Sequence, residues 1–263
     1  MKILAKILLV LVSIPVFFLC ILSINVRFQL LSSRFWINTF EKNAVYSQIS
    51  AEIGTRLTSK VVAGGGEESD ITVLSALVST DNLKYFFEKN IQSFISYANG
   101  KSSEITIFIP FSSELGDFSE EISLMDFLDE FNIAVVSESD IQMISKYGFF
   151  SWMAFVALLT LLVLIFVLLY LLTDSGKSLV SQGMAFILFG TTLTMAFFIG
   201  QFAGEVISRD FTGSSNIGTS LMAIITPPII QNLIRTWIWI GILLFIFGIL
   251  LFFIKKPAIF KSK

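Results

Sequence analysis

The sequence predicts a membrane α-helical fold, in which a bundle of four transmembrane helices carries a mostly helical α+β extracytoplasmic domain between spans 1 and 2. The first observation is compositional: 54% of the 263 residues are hydrophobic, 14% are charged and the mean hydropathy is +0.80, whereas soluble domains are about 25% charged. The second is a set of long apolar runs, of which the last three reach the ~20 residues that cross a bilayer. The runs lie at 7–23, 149–172, 179–203 and 233–254.

The positions of lysine and arginine predict which side of the membrane each part occupies. Both termini and the turn at 174–178 carry seven lysines against one acidic residue, while residues 24–146 carry 9 basic and 17 acidic residues. Short segments rich in lysine stay on the cytoplasmic side. We therefore expect both termini in the cytoplasm and the acidic segment outside, in the plasma membrane of a prokaryote.

The apolar runs also predict the domain boundaries. Residues 1–26 form an uncleaved signal-anchor helix, because no small-x-small cleavage site follows the first run. The loop between spans 3 and 4 is too apolar for a free linker, so we expect an interfacial or domain-packing helix that is broken at Pro227-Pro228. The other segments are the extracytoplasmic domain at 27–146, spans at 147–173, 179–204 and 233–255, the loop itself at 205–232 and a cytoplasmic tail at 256–263. Tryptophans near the outer ends of spans 2 and 4 are expected at interfacial depth: Trp152, Trp237 and Trp239.

The first half of the extracytoplasmic domain is predicted to be helical. Apolar residues recur at steps of roughly three to five from Phe40 to Val61, which is close to helical spacing. The glycines at 64–66 end that run, because glycine continues a helix only at a cost. A second helix is predicted to begin at an N-cap offered by Ser79, Thr80 and Asp81 and to run to Ala98, just before a suitable stop at Asn99-Gly100.

The second half of this domain is predicted to contain strands as well. Isoleucine alternates with other residues at 105–109, which is typical of a strand, and a proline ends the run. Residues 118–131 have the spacing of an amphipathic helix, and 133–136 are β-branched apart from one alanine. We expect a small βαβ-like unit here, followed by a helix that runs from Ser139 into the second span.

The stretch from residue 133 to the third span resembles a known family. It reads Ile-Ala-Val-Val at 133–136 and Ser-Glu-Ser-Asp-Ile at 137–141, then a short helix, an apolar span, a turn with a lysine and a span with glycines. Over residues 83–203 the chain is similar to a family of bacterial integral membrane proteins with four spans and a large extracytoplasmic first loop. The resemblance implies the topology and the compartment, and it implies no activity because that family has none assigned.

Two sets of residues are candidates for a functional role. Seven carboxylates in the second half of the outer domain can bind a cation such as Ca²⁺, or form a solvated acidic helix face that is available for binding. Their spacing fits no EF-hand loop, so we favour the acidic face. The carboxylates are Glu114, Asp117, Glu120, Glu121, Asp126, Asp129 and Glu130. Glycines of spans 3 and 4 are candidates for helix packing, within the bundle or between copies: Gly183, Gly190, Gly200, Gly204, Gly241 and Gly248.

The residue counts exclude several kinds of chemistry. The chain has no histidine and one cysteine, Cys20, which lies inside an apolar run. Triads based on histidine, histidine metal sites, disulfides and cysteine zinc sites are therefore excluded. The Gly-Lys-Ser tripeptide at 176–178 lacks the earlier glycine and the preceding strand of a P-loop. We predict no catalytic residue, no cofactor, no metal site and no nucleic-acid partner.

The leading functional hypothesis is a non-enzymatic membrane protein that presents its acidic outer domain to a partner or ligand, as an envelope assembly factor, adaptor or sensor. Its partners would be the lipid bilayer and either another protein or a second copy, bound through the membrane helices or the outer domain. The alternative is a homo-oligomeric pore or transport subunit around the glycine-rich third span. No ionisable residue lies deep in a span, which argues against coupled transport. An enzyme that uses Asp117 and Glu120 is the third hypothesis.

Overall fold

A computed structural model describes residues 2–65, 71–72, 75–76, 78–110, 119–124, 138–174, 179–211 and 216–254. Four of the described helices are long and apolar enough to cross a membrane, so the protein is a multi-pass helical membrane protein. The chain forms two compact units. We call residues 1–27, 151–203 and 230–263 the membrane unit, and residues 28–150 and 204–229 the head unit.

Most of the described elements are helices, and they are numbered here in chain order. They are α1 (Lys2–Asn25, continued by a π-helical turn at Val26–Leu30), α2 (Ser33–Lys42), α3 (Val45–Ala63), α4 (Thr80–Ala98), β1 (Thr106–Pro110), β2 (Ser119–Ser123), α5 (Glu138–Ile144), α6 (Tyr147–Leu171), α7 (Val180–Phe211) and α8 (Ile217–Phe253).

Phenylalanine rings join the helices of the membrane unit. Phe17 of α1 stacks on Phe189 of α7 with ring centroids 4.1 Å apart. Phe186 of α7 contacts Phe166 of α6 at 4.9 Å and Phe247 of α8 at 5.1 Å. Lipid tails are as apolar as these side chains, so close packing rather than exclusion from water holds such helices together. The ring contacts therefore connect all four spans.

Trp237, one of the three tryptophans expected at interfacial depth, is buried among the helices of the membrane unit. It is 5% exposed, and its indole Nε1 donates a 3.5 Å hydrogen bond to Oδ1 of Asn25 in α1. The pairing explains its position, because a buried indole N–H and a buried amide each require a partner. Trp152 and Trp239 are 47% and 68% exposed.

The head unit has a core of its own. Phe40, Val45, Tyr46 and Ile49, from α2 and α3, are at most 4% exposed and form its centre. Apolar residues of α4 and of the first turns of α8 pack against them: Leu83, Phe87, Ile91, Leu221, Ile224, Ile225 and Ile229. The apolar segment between spans 3 and 4 thus completes the core of the head unit.

The helical run predicted from Phe40 to Val61 is divided into α2 and α3. Ala44, at the break, has a left-handed φ of 51°, which is uncommon for a residue with a side chain. The side chain of Asn43 donates to the carbonyl of Thr39 at 2.8 Å, and that of Gln48 donates to the carbonyl of Asn43 at 2.9 Å. The carbonyl of Thr39 also accepts from the backbone amide of Asn43 at 3.3 Å, so side-chain and backbone bonds together hold the chain at the break.

The predicted break at Pro227-Pro228 is wrong, because α8 continues from Ile217 to Phe253 through both prolines. A proline removes one backbone donor and crowds the preceding turn. Here the residues before the prolines are fixed by the core of the head unit and the residues after them form a membrane span. The packing of the residues before and after the prolines outweighs the cost of the missing backbone hydrogen bonds.

The strand prediction is confirmed for 105–109 and is wrong for the βαβ arrangement. Residues 119–123, predicted as part of a helix over 118–131, form β2, which pairs antiparallel with β1 from Thr106↔Ser123 to Pro110↔Ser119. A lone β1 would leave its backbone groups unpaired, and this pairing outweighs the local helical spacing. Residues 125–131 of that helix and the strand at 133–136 lie outside the described residues. The described head unit is helical apart from this two-stranded sheet, so an α+β domain is not supported.

Side chains of α4 cover the other edge of β1. Asn90 Nδ2 donates to the carbonyl of Phe108 at 2.9 Å, and the amide of Phe108 donates to Asn90 Oδ1 at 3.0 Å. The amide of Thr106 donates to Ser93 Oγ at 2.8 Å. An open edge invites pairing with another chain, so these bonds both satisfy and protect the strand.

Candidate functional site

The structure describes two of the seven predicted carboxylates. Glu120 and Glu121 lie in β2, where they are paired with Ile109 and Phe108 of β1. Because these two residues lie in a strand, they are not part of the helix predicted over residues 118–131. The remaining five lie outside the described residues: Glu114, Asp117, Asp126, Asp129 and Glu130.

A charged cluster that the sequence analysis did not single out lies beside the core of the head unit. We call Glu41, Tyr46, Lys84 and Glu88 the Lys84 cluster. Lys84 Nζ lies 2.6 Å from Glu41 Oε1 and 3.8 Å from Glu88 Oε1, so it joins α2 to α4. The hydrogen bond and the charge of Glu41 raise the pKa of Lys84.

Tyr46 is the buried member of the cluster, with 4% of its surface exposed. Burial, followed by the negative charges of Glu88 and Glu41, raises the pKa of the Tyr46 phenol above its usual range. The phenol therefore keeps its proton and is a weak nucleophile. The Lys84 and Glu41 side chains are partly exposed, so they can form hydrogen bonds and ion pairs with a partner, whereas the Tyr46 phenol is buried beneath them.

A second polar contact ties α3 to α8. Arg56 Nε donates to Glu52 Oε1 at 2.7 Å, and Arg56 Nη2 donates to Ser220 Oγ at 2.8 Å. Ser220 is 3% exposed, so this contact reaches into the interior of the head unit. Hydrogen bonding by Arg56 lowers the pKa of Glu52.

Glu52→Gln is expected to lower the free energy of unfolding at neutral pH by about 1 kcal/mol or less, because partly exposed ion pairs contribute little. The pKa of Glu52 is lower in the folded state, so its contribution is present above the ordinary value of 4.5 and is lost as the pH falls through the lowered value. Urea unfolding of both proteins from neutral pH to about pH 3 measures this difference. The gap should close in acid, and a gap that stays constant contradicts the pairing.

Four of the six predicted packing glycines form two close backbone contacts between α7 and α8. A Cβ added at Gly183 would lie 2.6 Å from the carbonyl oxygen of Gly248, and one at Gly248 would lie 2.7 Å from that of Gly183. Gly190 and Gly241 meet in the same way. The glycines of each helix are about two turns apart, so they form one seam between antiparallel helices, which we call the glycine seam.

The other two glycines, in the Gly-x-x-x-Gly motif, do not form such a contact. A Cβ added at Gly200 would meet the end of the flexible Ile234 side chain, with Cδ1 at 2.6 Å. The nearest atom to a Cβ at Gly204 would be Cα of Pro227, at 4.0 Å. The backbones therefore approach most closely along the glycine seam.

No protein-family model, curated protein or solved structure matches this chain. The resemblance to four-span bacterial membrane proteins stays a prediction.

Two of these ion pairs could have been predicted from the spacing of their residues in the sequence. Glu52 and Arg56, and likewise Lys84 and Glu88, are four residues apart on one helix, a spacing at which opposite charges attract. The contacts from Lys84 to Glu41 and from Arg56 to Ser220 join residues 43 and 164 positions apart. Only the tertiary packing reveals them.

Proposed function

We propose that this chain is a non-enzymatic membrane protein whose head unit lies on the extracytoplasmic side and binds a partner there, as an envelope assembly factor, adaptor or sensor. The observation that carries the proposal is that the chain has, in addition to four candidate membrane spans, a head unit with a core of its own. Residues 24–146, which make up most of the head unit, contain 9 basic and 17 acidic residues. Such a charge excess favours encounter with a basic surface on a partner.

A homo-oligomeric pore is less well supported. The hydroxyls of Thr191 and Thr194 donate to carbonyls of their own helix, at 2.9 Å in both cases, so these threonines do not require water or an ion. The glycine seam is occupied by α8 of the same chain. Both contacts favour a membrane unit that holds its own helices together.

The orientation can be tested with single cysteines in a Cys20→Ser background, because Cys20 is 3% exposed and is the natural cysteine. Ser103→Cys places a thiol on the exposed surface of the head unit, and Asp174→Cys places one at the turn after α6. With a membrane-impermeant maleimide, the first should be labelled in intact cells and the second only after lysis. The reverse pattern would contradict the proposed orientation.

Native mass spectrometry of the particle extracted in mild detergent tests the partner. The proposal predicts one or two copies of this chain with a different protein in fixed ratio. It also predicts weaker association at high salt, because salt screens exposed charges. A particle of several copies and nothing else would contradict the proposal and support the pore.

A further inference from the structure

A crevice in the head unit has a buried floor and an exposed polar rim. It lies between the last turn of α4, the segments that lead into β1 and out of β2, and α5, and its volume is about 310 Å³, within the usual range of small-molecule sites. Tyr97, Ile105 and Ile141 form the floor and are at most 7% exposed. Ser103 and Glu104 are exposed and lie on the rim. Polar and apolar atoms therefore both face the crevice.

The hydroxyl of Tyr97 is an unused polar group of this crevice. Tyr97 is 5% exposed, and its hydroxyl has no hydrogen-bond partner among the described residues. Unlike the phenol oxygen of Tyr46, this hydroxyl is not sealed from solvent. A tyrosine buried to this extent usually directs its hydroxyl to a partner. Because Tyr97 lines the crevice, its hydroxyl is available to a ligand that enters there.

Glu104 gives the crevice its charge. The hydroxyl of Ser102 donates to the carbonyl oxygen of Glu104 at 2.7 Å and accepts from the amide of Glu104 at 3.3 Å, which fixes the backbone at the rim. The carboxylate of Glu104 forms no ion pair with a described side chain. No described basic side chain lines the crevice. The described lining therefore carries one negative charge that it does not neutralise.

These groups match the chemistry of a basic side chain. Lysine and arginine combine an apolar stem with a cationic end, so the stem can lie on the floor while the end reaches the rim. Ammonium and guanidinium groups only donate hydrogen bonds, and the carboxylate of Glu104 and the hydroxyl oxygen of Tyr97 can both accept them. Glu104 would repel a phosphate or a carboxylate. The acidic excess of residues 24–146 attracts basic surfaces for the same reason.

We propose that this crevice binds a lysine or arginine side chain on the surface of the partner protein. The cationic group pairs with the carboxylate of Glu104 and donates a hydrogen bond to the hydroxyl oxygen of Tyr97. The methylene groups of its stem lie against Ile105, Leu124 and Ile141. The identity of the occupant rests on the proposed function, whereas the preference of the crevice for a cation can be measured on this chain alone.

A thiol at the rim tests the site in the full chain in nanodiscs. In a Cys20→Ser, Ser103→Cys background, exchange with cystamine attaches an aminoethyl group, and exchange with dipropyl disulfide attaches a propyl group of the same length without the charge. Intact mass spectrometry gives the equilibrium constant of each mixed disulfide, and their ratio measures the preference for the cation independently of the thiol. Glu104→Gln and Tyr97→Phe should each lower this ratio about three- to fivefold at low salt. Tyr97→Phe should fold like the wild type, because it removes a hydroxyl that has no described partner.

Asp81→Asn and Tyr85→Phe are the matched controls, because they make the same two changes at exposed positions of α4, roughly 18–24 Å along the helix from Tyr97. Both should keep the ratio of the unsubstituted background. A ratio that Tyr97→Phe leaves unchanged would show that surface charge alone attracts the cation, and it would overturn the proposed site, as would an equal loss in Asp81→Asn. The expected ratios together with a native particle that contains no second protein would instead contradict the proposed function, so the two failures are distinguishable.

Discussion

Gly190→Ala is expected to destabilise the membrane unit by about 1–3 kcal/mol, although it adds a single methyl group. The added Cβ would meet the carbonyl oxygen of Gly241 and would lie 2.8 Å from the amide nitrogen of Phe245. Both atoms belong to the backbone of α8, which cannot rotate away as a side chain can. The two helices would have to separate, and their association in a bilayer depends on close packing.

Gly204→Ala is the matched control for this prediction, since it makes the same change on the same helix. Its Cβ would have 4.0 Å to the nearest atom, and alanine favours a helix by about 0.5–1 kcal/mol over glycine. Thermal unfolding in one detergent, followed by circular dichroism, should therefore show a lower midpoint for Gly190→Ala and an equal or higher one for Gly204→Ala. Equal midpoints would contradict the glycine seam.

The glycine seam shows which aspect of helix packing the sequence does not reveal. All six glycines are visible in the sequence, where Gly200 and Gly204 have the Gly-x-x-x-Gly spacing that is typical of close helix packing. Which glycines meet a neighbour depends on how far each helix is rotated about its axis. Contacts of larger side chains with other helices, such as those of Phe186 and Phe189, contribute to that rotation. A glycine motif shows where two helices could approach closely, but only the packing of the whole bundle determines which glycines make such a contact.

Local signals were sufficient where the element depends on its own residues. Helix α4 begins after Ser79, one of the three predicted N-cap candidates, whose side chain accepts from the amide of Asn82. It ends before Asn99 and Gly100, as predicted. The prediction failed at 119–123, where pairing with β1 outweighed helical spacing. It failed again at Pro227-Pro228, where packing outweighed a local breaker. Each error therefore arose from a distant contact that overrides a local preference.

The Lys84 cluster was not predictable for the same reason. Its members come from α2, α3 and α4, and they meet because those helices share the core around Phe40 and Tyr46. A buried tyrosine next to a carboxylate leaves no periodic pattern in the sequence. These polar residues come together only when α2, α3 and α4 are packed around the shared core. A loss of core stability should therefore also separate the members of the Lys84 cluster.

Phe40→Ala is accordingly expected to have the largest effect in the head unit, a loss of about 3–5 kcal/mol in the free energy of unfolding. Phe40 is 2% exposed. Its ring makes edge contacts with Trp36, Tyr46 and Phe87, with centroids 5.7–6.1 Å apart. Removing the ring leaves a cavity between three helices whose other side chains cannot collapse into it without moving the backbone.

Hydrogen exchange and limited trypsin digestion of the full chain in detergent measure this effect. In Phe40→Ala, amides of α2 and α3 should exchange faster, and cleavage after Lys42 and Lys60 should accelerate. Phe94→Ala removes the same ring from α4 at a position that is 42% exposed, so its exchange should stay close to that of the wild type. Similar exchange in both variants would show that the aromatic cluster does not hold these helices together. Faster exchange in Phe40→Ala alone would show that the ring of Phe40 holds α2 and α3 in place within the core of the head unit.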